Sequence, residues 1–432
     1  MNVLAQELNE TLKSSCIYSL LSTRGKDMYF PKGIVAQSAE AGEKAKLYNA
    51  TVGLATTKGE PFCLSDIYSQ FSSDLKKSEI FSYAPGGGDR ALRALWREKI
   101  YEKNPTLKGK TISSSFVTSG LTHTISLIAL LFVDRGDEVV CPDLYWDNYQ
   151  LIFEDSSGGI LKTFKCFNSE GKFNAKEMKK ALMETKGESA RIILNFPNNP
   201  TGYSPSKEER EEIVEAIKEV ADTGKKILVI CDDAYFGLFY EDDTEKESLF
   251  SYLADASPNI LAIKGDAATK EEMVWGFRVG FITFASSSLK SEEIEALEKK
   301  ILGAIRCTVS NCDRPGQSLL LKAMLDGKHY LEDKEILYYS MEKRYRTVKE
   351  AVLKHKENNL IVPYPFNSGY FMAFDTLGKN AEELRMFLLD KYKIGTINIM
   401  GHSLRLAYCS VEEENLENLI DTVYKAAEEL WS

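Results

Sequence analysis

Metal-binding and disulfide motifs are absent from the sequence. Only four of its 432 residues are histidines, and none of its eight cysteines forms a CxxC pair. This sparse pattern argues against a zinc site and against a disulfide framework. We therefore predict a protein without a bound metal, whose cysteines are reduced as in the cytoplasm.

Long apolar runs and an excess of positive charge are also absent. The most apolar stretch, Ile125–Val133, has nine residues, whereas a transmembrane helix needs about 20. Residues 1–15 lack the apolar core of a signal peptide. The 64 acidic residues outnumber the 54 basic ones, for a net charge of −10, so we expect neither nucleic acid nor a membrane as a partner. With 44% apolar residues, 21 Phe and 21 Tyr, the chain is expected to fold rather than stay disordered.

Short apolar runs alternate with helical patterns between residues 114 and 285. The runs predict strands at 115–118, 137–141, 190–196, 226–231, 260–263 and 279–284. Helices are predicted at 120–133 and at 204–222, the second with Ser204 as its N-cap and Pro205 at its first position. Strands that are apolar on both faces and separated by helices indicate a mostly parallel sheet covered on both sides. Ligands bind such sheets at the carboxyl ends of the strands.

The chain changes character after residue 320. The C-terminal pattern predicts a smaller α+β unit, with a long charged helix at 330–358, strands within 360–375 and 396–407, and a final helix at 412–430. Residues 1–59 show no parallel-sheet pattern. We therefore predict a large domain over 60–320 and a small domain that combines 321–432 with the N-terminal segment 1–59.

Polar and aromatic residues follow the predicted strands in a consistent order. They comprise a Ser-Gly helix start at 119–120, an aromatic loop with Tyr145, Trp146 and Tyr149, an Asn turn at 198–202, the acid Asp232 with Tyr235, and Lys264, Lys270 and Arg278. Taken singly, each has an ordinary explanation, such as a helix cap or aromatic packing under a loop. Together they describe a site for a flat, phosphorylated heterocycle that carries an aldehyde. Pyridoxal phosphate fits, because a lysine binds its aldehyde and an aspartate partners its ring nitrogen.

The same motifs resemble those of the class I/II aminotransferases, which are fold type I pyridoxal-phosphate enzymes. The resemblance covers residues 45–410 and is carried by Asn-Asn-Pro-Thr-Gly at 198–202, Asp-x-Ala-Tyr at 232–235 and Lys-x7-Arg at 270–278. It implies an α/β fold: a large domain with a mostly parallel seven-stranded sheet, and a smaller α+β domain.

The resemblance also implies a homodimer with shared active sites. In the family, a Tyr-x-Pro-x-x-Gly element comes from the neighbouring subunit and reaches the cofactor phosphate, and here this element begins at Tyr83. The alternative is a glycine-rich turn before a helix at 90–103.

Individual roles follow from the resemblance. It implies that Lys270 binds the cofactor and moves the substrate's α-proton, and that Asp232 keeps the ring nitrogen protonated. Tyr235 and Asn199 are implied to hydrogen-bond the phenolic oxygen of the ring. Lys264 is the alternative lysine, but the eight-residue step to the arginine favours Lys270. The further cofactor-binding residues implied are Ser119, Gly120, Leu121 and Arg278 at the phosphate, Tyr83 from the partner, and Trp146 stacked on the ring, with Tyr145 as its alternative.

Two arginines are implied to bind the substrate. Arg405, in Ser-Leu-Arg-Leu-Ala, matches the arginine that clamps the α-carboxylate, which a bidentate fork suits; the alternative is a surface arginine on a strand. Arg306, in Ile-Arg-Cys-Thr-Val-Ser-Asn, resembles the arginine that aspartate aminotransferases place on the distal carboxylate from the partner subunit. Its alternative is a helix-end arginine that faces solvent or the dimer contact. Gly53 and Asn199 complete the predicted substrate contacts.

The predicted activity is ping-pong transfer of an amino group between an L-amino acid and a 2-oxo acid such as 2-oxoglutarate, with aspartate favoured and aromatic amino acids second. One departure from the family is Ala267, which replaces a phosphate-binding serine; Thr269 and Thr122 are the candidates to compensate.

The main alternative function is that of a lyase, decarboxylase or synthase with the same cofactor. We do not expect a cofactor sensor fused to a DNA-binding domain, for which the N-terminus leaves no room, nor a nucleotide-binding protein, which would need GxGxxG after the first strand.

Overall fold

The computed structural model of the protein describes residues 3–12, 34–71, 75–287 and 289–432. Its strands are β1 (Tyr48–Asn49), β2 (Thr56–Thr57), β3 (Glu60–Pro61), β4 (Phe116–Thr118), β5 (Glu138–Pro142), β6 (Ile160–Phe164), β7 (Ser189–Asn195), β8 (Lys226–Asp233), β9 (Ile260–Ala267), β10 (Gly280–Ala285), β11 (Val362–Pro363), β12 (Phe371–Asp375), β13 (Ile394–Gly395), β14 (Ile397–Ile399) and β15 (Ser403–Ala407).

The α-helices are α1 (Val3–Leu12), α2 (Ile34–Lys44), α3 (Ser65–Gln70), α4 (Lys77–Ile80), α5 (Arg90–Lys103), α6 (Leu121–Phe132), α7 (Ala175–Met183), α8 (Lys207–Asp222), α9 (Leu249–Leu253), α10 (Ala268–Glu271), α11 (Ser291–Thr308), α12 (Pro315–Asp326), α13 (Tyr330–Lys354), α14 (Ala381–Phe387) and α15 (Glu413–Trp431). Short 3-10 turns occupy Pro105–Leu107, Trp275–Phe277 and Tyr408–Ser410, and π-helical turns occupy Gln150–Ser156 and Leu388–Tyr392. Within the described ranges, no helix combines the length and the apolarity that a membrane span requires.

Seven strands form one large sheet in the order β4-β10-β9-β8-β7-β5-β6. All of them run parallel except β10, which is antiparallel to both of its neighbours. The central strands β8 and β9 are buried along nearly their whole length, as expected for strands covered on both faces. The predicted mostly parallel, seven-stranded sheet is confirmed.

The reversed strand decides which residues meet at the carboxyl edge of the sheet. Because β10 runs opposite to the others, its first residue, Gly280, lies opposite Thr118 at the end of β4 and Ala267 at the end of β9. Residues just before β10 therefore meet residues just after the parallel strands.

Two predictions for this sheet need correction. β9 does not end at Ile263 but continues to Ala267. The strand tolerates the buried Lys264 because its Nζ lies 2.5 Å from Asp233 Oδ2 and 2.6 Å from Asp266 Oδ1. The apolar runs also miss the edge strand β6, in which only the last residue is buried.

Helix α8 begins later than the sequence suggests. Its N-cap is Ser206 and not Ser204. The Ser206 hydroxyl accepts a hydrogen bond from the Glu209 N–H at 3.2 Å, and the Glu209 carboxylate accepts one from the Ser206 N–H at 2.8 Å, which together form a capping box. The Ser204 hydroxyl instead lies 2.8 Å from that of Ser368, next to the small sheet.

The C-terminal part contains a four-stranded antiparallel sheet in the order β11-β12-β15-β14. The N-terminal segment packs against this part, since β1 pairs in parallel with β13. Helix α2 is attached through Gln37, whose side-chain amide exchanges two hydrogen bonds with the backbone of Asn398, at 2.7 and 3.1 Å. Residues 13–33 of the predicted N-terminal segment lie outside the described residues. The domain limits at 60 and 320 stay a prediction.

The large and small sheets are joined at Gly202. This residue has a φ of 75°, and a Cβ there would lie 1.9 Å from the carbonyl oxygen of Phe371 on β12. The Gly202 carbonyl accepts hydrogen bonds from the N–H groups of Asn367 and Ser368, at 2.9 and 2.8 Å. The turn that follows β7 is thereby fixed to the small sheet.

Replacing Gly202 should show how much stability is lost through the clash with Phe371 and how much through the positive φ. Gly202→Ala requires both a positive φ and a shift of β12, so we expect a loss of about 3 kcal/mol or more in the free energy of unfolding. Gly224→Ala is the matched control, because Gly224 has a φ of 94° and nothing lies within 4 Å of its Cβ position; it should lose only about 1–2 kcal/mol. Urea unfolding of both variants measures the difference. Equal losses would contradict the steric role of the Phe371 carbonyl.

Candidate active site

A cavity of about 440 Å³ opens at the edge where the parallel strands end. Its lining includes nine residues that the sequence predicts for the site: Gly53, Leu121, Trp146, Asn199, Asp232, Tyr235, Lys270, Arg278 and Arg405. They come from the ends of several strands and from both sheets, so only the complete fold brings them together.

The carboxylate of Asp232, near the end of β8, is held by two donors. The Tyr149 hydroxyl donates to Oδ2, and the backbone N–H of Ala234 donates to Oδ1 at 3.2 Å. Burial raises the pKa of Asp232 to about 6, although the Tyr149 hydrogen bond and the positive charge of Lys270 act in the opposite direction. The side-chain amide of Asn195 donates to the backbone carbonyl of Asp232 at 2.8 Å and fixes the strand end. The cavity therefore contains a carboxylate that can pair with a cation near neutral pH.

Lys270 lies in α10, directly after β9, and its amine is available for reaction. Its Nζ is 4.8 Å from the centre of the Tyr235 ring, and it makes no hydrogen bond or ion pair with any described residue. Burial lowers the pKa of Lys270 to about 8; the Asp232 carboxylate opposes this shift and the Arg278 guanidinium assists it. A fraction of Lys270 is therefore a neutral amine, the form that attacks an aldehyde, near physiological pH.

Lys264, the alternative lysine, has the opposite environment. Its side chain is 1% exposed and its Nζ is ion-paired with Asp233 and Asp266. Although burial favours the neutral form, these two carboxylates raise the pKa of Lys264. Lys264 does not line the cavity, so the geometry favours Lys270.

Arg278 lies against the start of helix α6. Gly120, the N-cap, has a φ of 79°, and a Cβ there would lie 2.5 Å from Arg278 Nη2. Arg278 makes one long hydrogen bond, from Nη1 to the carbonyl of Trp275 at 3.5 Å, and no ion pair within the described ranges. An unpaired guanidinium beside a helix N-terminus is suited to an anion such as a phosphate.

Arg405, on β15, is only 2% exposed, which rules out the alternative of a surface arginine. Its Nη1 donates to Asn199 Oδ1 and its Nη2 to the Thr51 carbonyl, both at 2.8 Å, while its buried Nε has no partner in the described part of the chain. The guanidinium carbon lies 4.3 Å from the centre of the Phe371 ring. Because both acceptors are neutral, the positive charge remains available to a carboxylate that enters the cavity.

The aromatic wall of the cavity is formed by Trp146 and not by its alternative Tyr145. Tyr145 stacks on Tyr149, with 6.2 Å between ring centres, and Trp146 meets Tyr149 edge-on at 5.7 Å. The Tyr235 ring packs against Phe371 with 5.3 Å between centres. Trp146 is therefore placed to cover a flat ligand.

Thr122 and Thr269 line the cavity, whereas Ala267 does not. Both threonines are thus placed where a hydroxyl could replace the serine missing at Ala267. Within the described ranges, no group of three or more His, Cys, Asp or Glu side chains is arranged to hold a metal ion.

Four predicted residues are not among those that line the cavity of the single chain: Tyr83, Arg306, Ser119 and Gly120. Tyr83 is 90% exposed. Arg306 is exposed near the end of α11, where its Nη1 donates to Ser310 Oγ at 2.5 Å. Ser119 precedes the Gly120 cap, and its N–H donates to His123 Nδ1 at 3.0 Å. The roles of Tyr83 and Arg306 in a neighbouring subunit's site stay predictions.

The sequence does not single out two residues that shape the site. Tyr149 is one of three aromatic residues in a loop, and the sequence gives it no separate role as the partner of Asp232. Its position three residues after Trp146 was the one available indication. Asn195 bridges Asp232 to the turn, since its Oδ1 also accepts from the Asn199 N–H at 2.7 Å. An asparagine at the buried end of a mostly apolar strand was the signal for this contact.

The pKa of Lys270 gives a direct test of this geometry. Competitive labelling of the protein with acetic anhydride, read by mass spectrometry, should show the Lys270 amine becoming reactive with a midpoint near pH 8. Asp232→Asn should move the midpoint to lower pH, because the carboxylate stabilises the ammonium form, and Arg278→Met should move it to higher pH. Lys264 is the internal control and should remain unlabelled. Shifts of the same sign in both variants would contradict the assignment.

Comparison with known proteins places this geometry in a family. The family model described as aminotransferase class I and II matches residues 54–423. The probable aspartate/prephenate aminotransferase of Aquifex aeolicus is 28% identical over 363 residues, which cover 81% of this chain and 84% of that protein.

Solved structures agree with the sequence comparison. An aminotransferase from Anaerococcus prevotii superposes with a TM-score of 0.82 at 26% identity, over 94% of this chain and 99% of that one. The kynurenine aminotransferase of Pyrococcus horikoshii, solved in complex with PMP, has the same fold, with a TM-score of 0.78 at 16% identity over 97% and 99% of the two chains. Since the family model spans most of the sequence, the chain belongs to the class I and II aminotransferases, enzymes of fold type I.

Proposed function

We propose that this aminotransferase uses pyridoxal 5'-phosphate and moves the amino group of L-aspartate to a 2-oxo acid such as 2-oxoglutarate in a ping-pong sequence. Aromatic amino acids are the second choice of donor. The observation that carries the proposal is the presence, in one cavity, of a lysine with a lowered pKa, a buried aspartate and two arginines. Among the residues that the structure describes, the lysine is unpaired and neither arginine has a carboxylate partner.

The residues of the cavity fit the cofactor at three points. Arg278 and the N-terminus of α6 would hold the phosphate, Lys270 would bind the aldehyde carbon, and Asp232 would pair with the ring nitrogen. Trp146 would cover one face of the ring. When bound, pyridoxal phosphate supplies an electron sink for the charge that develops at the substrate's α-carbon.

The chain's own groups provide binding and proton transfer. Arg405 would bind the α-carboxylate, because Asn199 and Thr51 already hold its guanidinium in place. Gly53 keeps this region open, since a Cβ there would lie 2.8 Å from the Phe371 ring. Lys270, with a pKa of about 8, can take the α-proton as a general base and return it as a general acid near neutral pH.

Two observations support the substrate and the assembly. The Aquifex relative is named as a probable aspartate/prephenate aminotransferase, which favours a dicarboxylic substrate and fits the role proposed for Arg306. Phe81 and Tyr83 are 81% and 90% exposed, and a second subunit of a homodimer would cover this apolar surface. Arg306 and Tyr83 would then complete the neighbouring site.

The test supplies the purified protein with pyridoxal phosphate, L-aspartate and 2-oxoglutarate and measures oxaloacetate and glutamate. We expect equal amounts of both products, and none from Lys270→Ala; Lys299→Ala, at an exposed lysine, is the control. Arg306→Gln should raise KM about tenfold or more for aspartate and leave it unchanged for phenylalanine. Release of carbon dioxide or ammonia without a 2-oxo acid would instead indicate a decarboxylase or a lyase. An unchanged KM for aspartate would contradict the role of Arg306.

Tyr149→Phe should change the pH dependence of the reaction. The Tyr149 hydrogen bond lowers the pKa of Asp232, so its loss raises that pKa above about 6 and the ionised carboxylate forms only at higher pH. We expect the acidic limb of the kcat/KM profile to move up by about one pH unit. Tyr345→Phe is the matched control, because it removes a tyrosine hydrogen bond to Glu241 away from the cavity. Identical profiles for the two variants would contradict the role of Tyr149.

A further inference from the structure

His123 connects the helix start beside Arg278 to a different helix. It is the third residue of α6, and its Nδ1 accepts a hydrogen bond from the Ser119 N–H at 3.0 Å. Its Nε2 lies 2.8 Å from Thr308 Oγ1, at the end of α11. The Thr308 hydroxyl donates its own proton to the Ala304 carbonyl at 2.8 Å. The ring is therefore hydrogen-bonded at both nitrogens, and its partner at Nδ1, a backbone N–H, can act only as a donor.

These contacts define the protonation of the ring. Nδ1 must be unprotonated, because it faces the N–H of Ser119, and Nε2 must carry the proton that the Thr308 oxygen accepts. Burial lowers the pKa of His123, which is consistent with a neutral imidazole. A charged ring would place two N–H groups against each other at Ser119.

The hydrogen bond to His123 distinguishes Ser119 from the residues that follow it. The backbone N–H groups of Gly120, Leu121 and Thr122 have no acceptor in the described part of the chain, and neither does the Ser119 hydroxyl. The guanidinium of Arg278, which forms no ion pair within the described ranges, is packed on Gly120. These groups lie together at the start of α6, where the cofactor phosphate is proposed to lie.

We infer that His123 is a positioning residue for the phosphate of the cofactor. By binding the Ser119 N–H, it fixes the Thr118–Ser119 peptide at the start of the turn and so orients the N–H groups that follow toward one anion. Thr308 holds the ring in the rotamer and tautomer that this contact requires. This inference rests on the proposed function, since it assigns a residue to the phosphate end of the same site.

The test compares two ligands that differ only in the phosphate. Dissociation constants of the apoprotein for pyridoxal 5'-phosphate and for pyridoxal are measured by quenching of tryptophan fluorescence, since Trp146 and Trp275 line the cavity. His123→Phe keeps a ring but no acceptor, and we expect it to weaken pyridoxal phosphate about tenfold, as for one hydrogen bond, and pyridoxal less than twofold. His123→Asn retains an acceptor near the position of Nδ1 and should restore most of the affinity. Thr308→Val, which leaves Nδ1 intact but frees the ring, should cause an intermediate loss for pyridoxal phosphate alone.

The outcomes separate the two proposals. Wild-type affinity for pyridoxal phosphate in His123→Phe would overturn the role of His123, and so would an equal loss for both ligands, because a general structural defect does not discriminate the phosphate. If His123→Phe fails to fold, Thr308→Val decides: wild-type affinity for pyridoxal phosphate, or an equal loss for both ligands, would overturn the role of His123. A wild-type protein that binds neither ligand would overturn the proposed function itself, and the role of His123 with it.

Discussion

A charge that leaves water needs an opposite charge or hydrogen bonds to replace the solvent, and the site of this protein depends on how that requirement is met. Lys264 is paired with Asp233 on β8 and with Asp266 on its own strand, so its charge is balanced within the sheet. Lys270 has no such partner among the described residues, and burial lowers its pKa to about 8. Within the same ranges, the hydrogen bonds of Arg405 go only to neutral oxygens. A buried cation thus stabilises the sheet at Lys264, whereas the cations at Lys270 and Arg405 remain available to a ligand.

Much of the architecture can be predicted from local patterns. Buried parallel strands are continuous apolar runs, and they appear at the expected positions because each helix-covered strand must be apolar on both faces. The predicted helix at 90–103 has the bounds of α5. The strand ends then indicate the site, because residues that follow parallel strands share one edge. The exceptions are segments that break the apolar rule: β6 is an exposed edge strand, and β9 continues through the charged Lys264.

The remaining features depend on contacts between distant segments, which no local pattern contains. Asp232 and Tyr149 are 83 residues apart, and the ring of His123 reaches a helix 185 residues away. The N-cap of α8 is Ser206 and not Ser204, because the Ser204 hydroxyl is hydrogen-bonded to that of Ser368, just before β12 of the small sheet. In each case the side chain could satisfy its hydrogen bonds in several ways, and the tertiary fold selects one of them. The sequence predicted residue types at the strand ends but not these partnerships.

The reversed strand β10 has a consequence for how the site tolerates rearrangement of the chain. Lys270 and Arg278 both lie on the connection between β9 and β10, which are adjacent antiparallel strands. Their separation is therefore set by one covalent link and not by the docking of distant elements. An inserted residue in this link would displace the two groups relative to each other even if every other contact were kept. New chain ends introduced by circular permutation would therefore be better accommodated outside residues 268–279.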